Sequence, residues 1–262
     1  MTAVVPVYHP RAEARRAVRR GYPDGGGGAG AGGGVRLCRG LEQVRRLLAQ
    51  RLVDAVVLDV KSAPADVFDL PARFPRIPFY ALSAFRPEDG PVLERCRAAG
   101  FAGVLVEGVD NAVLGEWIAA RTADASRRQA LADAPRLLRL TEPLQRTAWA
   151  EVLRRAGRPT TTAHLAQALG VTREHLSRQF AAGGAPNLKR VIDLARVAWA
   201  ADLLGNPGYR VGVVARVLGY ASSAHLAAAA RRVAGAPPGQ LGPLGARGVL
   251  GRFVRGRTRS RE

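Results

Sequence analysis

The residues best suited to recognition chemistry lie in one stretch, TTTAHLAQALGVTREHLSRQF, from Thr160 to Phe180. Thr161 or Thr162 can cap a helix that runs to Leu169 and buries Leu165, Ala168 and Leu169. Gly170 supplies the positive φ of a short turn, and Val171 plugs the corner. Thr172 then caps a second helix, predicted over Arg173–Ala182. Leu176 and Phe180, one turn apart, point inward and leave Glu174, Ser177 and Arg178 outside. A major groove admits one helix, and short polar side chains beside an arginine suit the edges of bases. Thr172 and Arg173, at the helix start, complete this first candidate surface.

A second unit follows. The spacing predicts a long helix over Asn187–Gly205 with Leu188, Val191, Ile192, Ala195, Trp199 and Leu203 on one face. Beyond it, Val211–Leu218, the turn Gly219-Tyr220 and Ser222–Val233 repeat the order helix, glycine turn, capped helix. A rigid helix between two reading heads lets both enter successive groove segments, about 34 Å apart. In the second head Ala227–Ala230 offers only methyl groups, with Ala228 and Ala230 in its middle. Ser222, Ser223 and Ala224 stand at its start, and His225 with Arg231 and Arg232 make it a holder of phosphates more than a reader of bases.

The elements before these are of another kind. Candidate strands Ala3–Tyr8, Val35–Cys38, Ala55–Asp59, Pro78–Leu82 and Gly103–Val106 alternate with helical patterns at Arg11–Arg20, Leu41–Gln50, Glu88–Ala99 and Ala112–Arg121. Such alternation predicts a doubly wound, parallel, five-stranded sheet, so the fold class is α/β followed by all-α. Pro71 and Pro75 break the fragment 66–76. A glycine run before the second strand contains GxGxxG at Gly28, Gly30 and Gly33. It precedes a strand instead of linking a strand to a helix, so it reads as a loop and not a dinucleotide site.

Charge separates the two halves. The 262 residues hold 40 Lys+Arg and 21 Asp+Glu, a net charge of +19. Residues 1–135 contribute +4 and residues 136–262 contribute +15, so the second half is the one suited to a polyanion. Cys38 and Cys96 stand apart without CxxC spacing, which fits a reducing compartment and neither a disulfide scaffold nor a zinc site. His164, His175 and His225 lack acidic or cysteine partners at ligand spacing and read as surface or packing residues. No apolar run reaches membrane length and no secretory leader is visible, so a cytoplasmic, nucleoid-associated location without membrane contact is expected.

The pieces LAQALGVTREHLSRQF, Val191-Ile192 through Arg196, Ala200 and Leu203-Leu204, then VVARVLGY and AGAPPGQL, resemble the DNA-binding domain of the AraC family of transcription regulators. The resemblance implies that Glu174, Ser177 and Arg178 face bases in the first reading helix and Ser223 and Ala224 in the second. Where that family has a reader arginine and an aromatic core residue in the second helix, this chain has Ala228 and Ala230. Such a regulator implies double-stranded DNA as partner, with RNA polymerase and a second copy, joined through the N-terminal domain, as further partners.

The strand VDAVVLDV ending at Asp59, YALSAF with Ser83, and RAAGFAGVLVEGVD resemble the receiver domain of response regulators. That likeness implies an acidic, Mg²⁺-holding pair after the first strand, a phospho-acceptor Asp after the third and a Lys after the fifth. The chain keeps Asp59 and Ser83 but has Val7-Tyr8-His9-Pro10 at the first place and Glu107 at the last. A pseudo-receiver follows, with Asp59 a vestigial acceptor, no metal and no cofactor.

The expected layout is residues 1–124 receiver-like, 125–140 linker, 141–241 DNA-binding and 242–262 a disordered basic tail. A non-specific nucleoid-type binder and a regulator phosphorylated on Asp59 are the alternatives. An alkyltransferase would need a Pro-Cys-His setting that Leu-Cys38-Arg and Arg-Cys96-Arg lack, so no enzyme is expected.

Overall fold

The structure is a computed structural model and describes residues 3–22 and 34–258. The GxGxxG match lies outside the described residues except for its context at Gly34. Two compact units emerge, one of Met1–Ser126 with Asn206–Tyr209, the other of Arg127–Gly205 with Arg210–Glu262.

The first unit is built on five parallel strands, β1 (Val4–Tyr8), β2 (Gly34–Cys38), β3 (Val56–Leu58), β4 (Phe79–Ser83) and β5 (Gly103–Val106), in the order β2-β1-β3-β4-β5. This is a doubly wound order of the flavodoxin type, with its reversal between β1 and β3. All of β3 and β4 is buried, as a central parallel strand covered on both faces requires. The helices are α1 (Ala12–Gly21), α2 (Leu41–Gln50), the short α3 (Leu70–Arg73), α4 (Gly90–Ala99) and α5 (Leu114–Ala119). One core joins Val5, Val7, Val57, Tyr80 and Leu82 of the sheet to Ala14 and Val18 of α1 and to Leu114 and Ile118 of α5. The expected alternation is therefore present, with helix and strand ends moved by a residue or two.

The second unit is helical. Its helices α8 (Pro143–Arg155), α9 (Thr162–Ala168), α10 (Arg173–Phe180), α11 (Leu188–Leu204), α12 (Val211–Val217), α13 (Ser223–Ala234) and α14 (Leu241–Thr258) follow two shorter ones, α6 (Ala123–Ala130) and α7 (Ala134–Leu137). Helix α11 is the axis. Eleven of its residues are buried, from Leu188 to Leu203, which is nearly its whole circumference and not the single face predicted.

Three expectations are corrected here. The segment 125–140 is not a plain linker, because it holds the end of one helix and the whole of another, Ala134–Leu137, and Leu131, Ala134, Leu138 and Leu140 are buried. In α9 the buried pair is Leu165 and Ala166, while Ala168 is exposed, since α9 meets α8 and α10 on that side. Most consequentially, residues 242–258 are not a disordered tail but the helix α14. Its Val249, Leu250 and Phe253 are buried, and Arg190 of α11 stacks 5.1 Å over the Phe253 ring. Glycines hid this in the sequence. A Cβ at Gly242 would sit 2.5 Å from the Leu204 carbonyl oxygen, so the missing side chains are what let α14 approach α11.

If α14 is a core element, Phe253→Ala should cost the C-terminal unit about 3–5 kcal/mol in chemical denaturation. A tail that packs on nothing would show a change within about 0.5 kcal/mol.

Candidate nucleic-acid interface

The two helix-turn-helix units use the same local chemistry. In the first, the Gly170 N–H donates to the Gln167 carbonyl (3.3 Å) and the Val171 N–H to the Ala166 carbonyl (3.0 Å). In the second, Gly219 donates to Arg216 (3.0 Å) and Tyr220 to Ala215 (2.8 Å). Both are Schellman endings, which require a left-handed residue, and the φ values of Gly170 and Gly219 are +66° and +65°. The helix after each turn is capped by a hydroxyl. Thr172 Oγ1 accepts from the His175 N–H at 3.2 Å, and Ser222 Oγ accepts from the His225 N–H at 3.1 Å. Thr161, not Thr162, caps α9 in the same way.

On α10 the burial follows the predicted division. Leu176 and Phe180 are buried, and Thr172, Arg173, Glu174, Ser177 and Arg178 are exposed. On α13, Ser223, Ala224, His225 and Ala228 are exposed and Leu226, Ala229 and Ala230 are buried. The His225 ring stands edge-on to Tyr220 at 5.6 Å. Arg231 and Arg232 are both exposed, but the Arg232 guanidinium already donates to Asp193 of α11 at 2.9 Å. Of the two, Arg231 is the better placed to meet a phosphate.

Three side chains that hold these helices were not singled out as sites from the sequence. Gln145 is fully buried on α8, and its Nε2 donates toward the carbonyls of Gln179 (3.3 Å), Phe180 (3.0 Å) and Ala182 (3.0 Å) at the end of α10. Its Oε1 accepts from the Glu142 N–H at 3.1 Å. Arg196 of α11 donates to the Leu218 carbonyl at 3.0 Å and lies 4.1 Å over the Tyr220 ring, fixing the second turn. Arg252 of α14 donates to the Ala234 carbonyl at the end of α13, at 3.4 Å. Gln145 had a sequence signal, since it opens the stripe Gln145, Ala148, Trp149, Val152 of an otherwise apolar helix face.

The first unit has its own convergence of polar groups, at the carboxyl ends of the strands where doubly wound sheets bind ligands. Asp59 follows β3 and is 5% exposed. Its Oδ1 accepts from the Ser83 hydroxyl and from the Lys61 N–H (3.1 Å), and its Oδ2 from the Ser62 hydroxyl at 2.5 Å. His9, after β1, is 2% exposed. Its Nδ1 accepts the Arg11 N–H at 3.1 Å, and its Nε2 is 3.7 Å from Glu107 Oε2. Burial holds the His9 imidazole below its usual pKa, against the opposing pull of Asp59 and Glu107. Glu107, after β5, is paired with Arg11 at 3.0 Å. Lys61 Nζ reaches Asp89 (2.5 Å) and the Ala84 carbonyl (3.2 Å). These residues do not suit the Mg²⁺ of a receiver. A neutral imidazole stands where an acidic pair is needed, the acceptor carboxylate is engaged on both oxygens, and Glu107 replaces the cation. Among the described residues no three His, Cys, Asp or Glu side chains are grouped to hold a metal.

Both cysteines are buried, and burial pushes the Cys38 thiol up to about 11 and raises that of Cys96, which suits inert packing and not a nucleophile. Among the described residues no helix is long and apolar enough to cross a membrane.

Residues 165–242 match the family model described as a helix-turn-helix domain. Two solved structures are similar. One is the C-terminal domain of AraT, a response regulator from Geobacillus stearothermophilus, at 21% identity over 39% of this chain and 85% of that one, with a TM-score of 0.36. The other is full-length FixJ from B. japonicum, at 16% identity over 88% of this chain and 98% of that one, with a TM-score of 0.35. No curated protein matches the chain. Residues 165–242 of the second unit are accordingly a helix-turn-helix domain.

Removing the Gln145 amide while keeping its bulk takes away the donor shared by the carbonyls at the end of α10, of which the Phe180 contact is the fully buried one. Gln145→Leu is expected to destabilise the C-terminal unit by about 1–3 kcal/mol in urea denaturation. A change near zero would mean that water or backbone adjustment serves those carbonyls equally well.

Proposed function

We propose, from the AraC-type helix-turn-helix domain at residues 165–242, that this chain is a sequence-specific DNA-binding transcription regulator. The observation that carries the reading is the pair of matched turn-and-cap units on α9–α10 and α12–α13, joined by the deeply buried helix α11. In this reading Thr172, Arg173, Glu174, Ser177 and Arg178 of the first unit meet the bases and adjacent backbone. In the second unit Ser223 and Ala224, after the cap Ser222, face the bases, and His225, Arg231 and Arg232 hold the duplex through phosphates, which is its main contribution. The methyl-lined middle of α13 supports the unequal division, and the engagement of Arg232 by Asp193 leaves Arg231 the freer of the two cations. Double-stranded DNA is the partner. RNA polymerase, and a second copy joined through the N-terminal unit, are the further partners of such a regulator.

Residues 1–124 are read as a pseudo-receiver and 141–241 as the DNA-binding domain. Asp59 then serves as an internal hydrogen-bond acceptor and not as a phosphate carrier, because His9, Glu107 and the bonds to Ser62, Ser83 and Lys61 occupy the chemistry that phosphoryl transfer needs.

Selection of bound fragments from genomic DNA should return an enriched motif, and Arg178→Gln should reduce the ratio of specific to random-DNA affinity by about five-fold or more. Retention of all fragments alike would favour a non-specific nucleoid-type binder instead. Incubation with acetyl phosphate and Mg²⁺ should leave the protein unlabelled; stoichiometric, acid-labile labelling at Asp59 would overturn the pseudo-receiver assignment.

A further inference from the structure

The exposed face of α10 carries one residue of the wrong sign for a polyanion. At 3.6 residues per turn, Arg178 lies half-way round the helix from the midpoint of the buried pair Leu176 and Phe180. Glu174 is one turn before it on almost the same line. Both are exposed, and among the described residues neither side chain has a hydrogen-bond or ion-pair partner. Elsewhere in this unit, opposite charges at helical spacing close on each other, as Glu151 does with Arg154 at 2.6 Å and with Arg155. On α10 the two charges stay apart and both point outward.

A carboxylate on a groove-facing surface is repelled by the duplex in general and gains only where it meets a donor. The major groove offers amino donors at cytosine N4 and adenine N6 and acceptors at guanine O6 and N7, adenine N7 and thymine O4. Adenine sets its N7 acceptor beside its donor, which a carboxylate cannot satisfy, so cytosine is the base that suits Glu174. We propose that Glu174 is a specificity-determining residue that selects cytosine in the first half-site and acts against binding to other DNA. It lies about 6 Å along the helix axis from Arg178, close to two base-pair steps of about 3.4 Å. The half-site therefore holds a cytosine read by Glu174 and a guanine read by Arg178, two steps apart. Ser177, which accepts any base edge, faces the tolerant pair between them.

This inference rests on α10 being the base reader, and its test separates the two. Bound sequences are selected from a random library with the full chain, with Glu174→Gln and with Glu174→Ala, and affinity for unselected random duplex is measured for all three. Cytosine at one position should shift toward adenine with Glu174→Gln, whose amide can pair with adenine N6 and N7, and lose preference by about five-fold or more with Glu174→Ala. Both variants should bind random duplex more tightly than the unaltered chain. An enriched motif that stays the same in both variants, or weaker random-duplex binding, would overturn the role of Glu174 while leaving α10 as a reader. Absence of any motif with the unaltered chain would overturn the base-reading function and this inference with it.

Discussion

A reading helix can position side chains against bases only if its end does not fray, and every α-helix ends with carbonyls that have no partner of their own. In this protein those ends are held from outside. Gln145 closes the end of α10, Arg196 the end of α12 and Arg252 the end of α13, each reaching from a different helix. The turns between the helices look after their own hydrogen bonds through Gly170 and Gly219. The surface proposed to read DNA is thus held by hydrogen bonds on its inner side, while Glu174, Ser177 and Arg178 on the outer side are exposed.

Helix α11 ties these anchors together. It supplies Arg196 to the second turn and Asp193 to Arg232, and it packs against α8, α12, α13 and α14. An amphipathic helix is normally wet on one side. Here α14 removes that side from solvent, using small residues for close approach and Phe253 for bulk. The pairing of Arg232 with Asp193 shows how the same scaffold reaches into the recognition surface. It draws one candidate phosphate ligand toward the interior and leaves Arg231 as the freer cation.

The first unit shows the opposite use of polar groups. Four strand ends bring His9, Asp59, Ser83 and Glu107 together; Asp59 accepts from Ser62, Ser83 and Lys61, Glu107 pairs with Arg11, and His9 Nδ1 accepts from the Arg11 N–H. The Asp59 carboxylate, engaged on both oxygens, is the satisfied part of this network, whereas the buried His9 Nε2 has no hydrogen-bond partner among the described residues.

The sequence by itself determined the parts whose signal is local. Hydrophobic period and β-branched runs gave the alternating strands and helices, the spacing of Gly170 and Thr172 gave the first turn and its cap, and Leu176 and Phe180 gave the outward face of α10. These depend on neighbours a few residues away. Tertiary structure alone decided what depends on distant partners. It turned the Arg- and Gly-rich segment 242–258 from an expected tail into a core helix, because the apolar face of Val249, Leu250 and Phe253 is stable only against α11. It made Ala166 and not Ala168 the buried residue of α9, and it committed Arg232 to Asp193. It also brought Gln145 and Arg252 to the ends of α10 and α13, onto carbonyls 34 and 18 residues away or more, partners that no local pattern records.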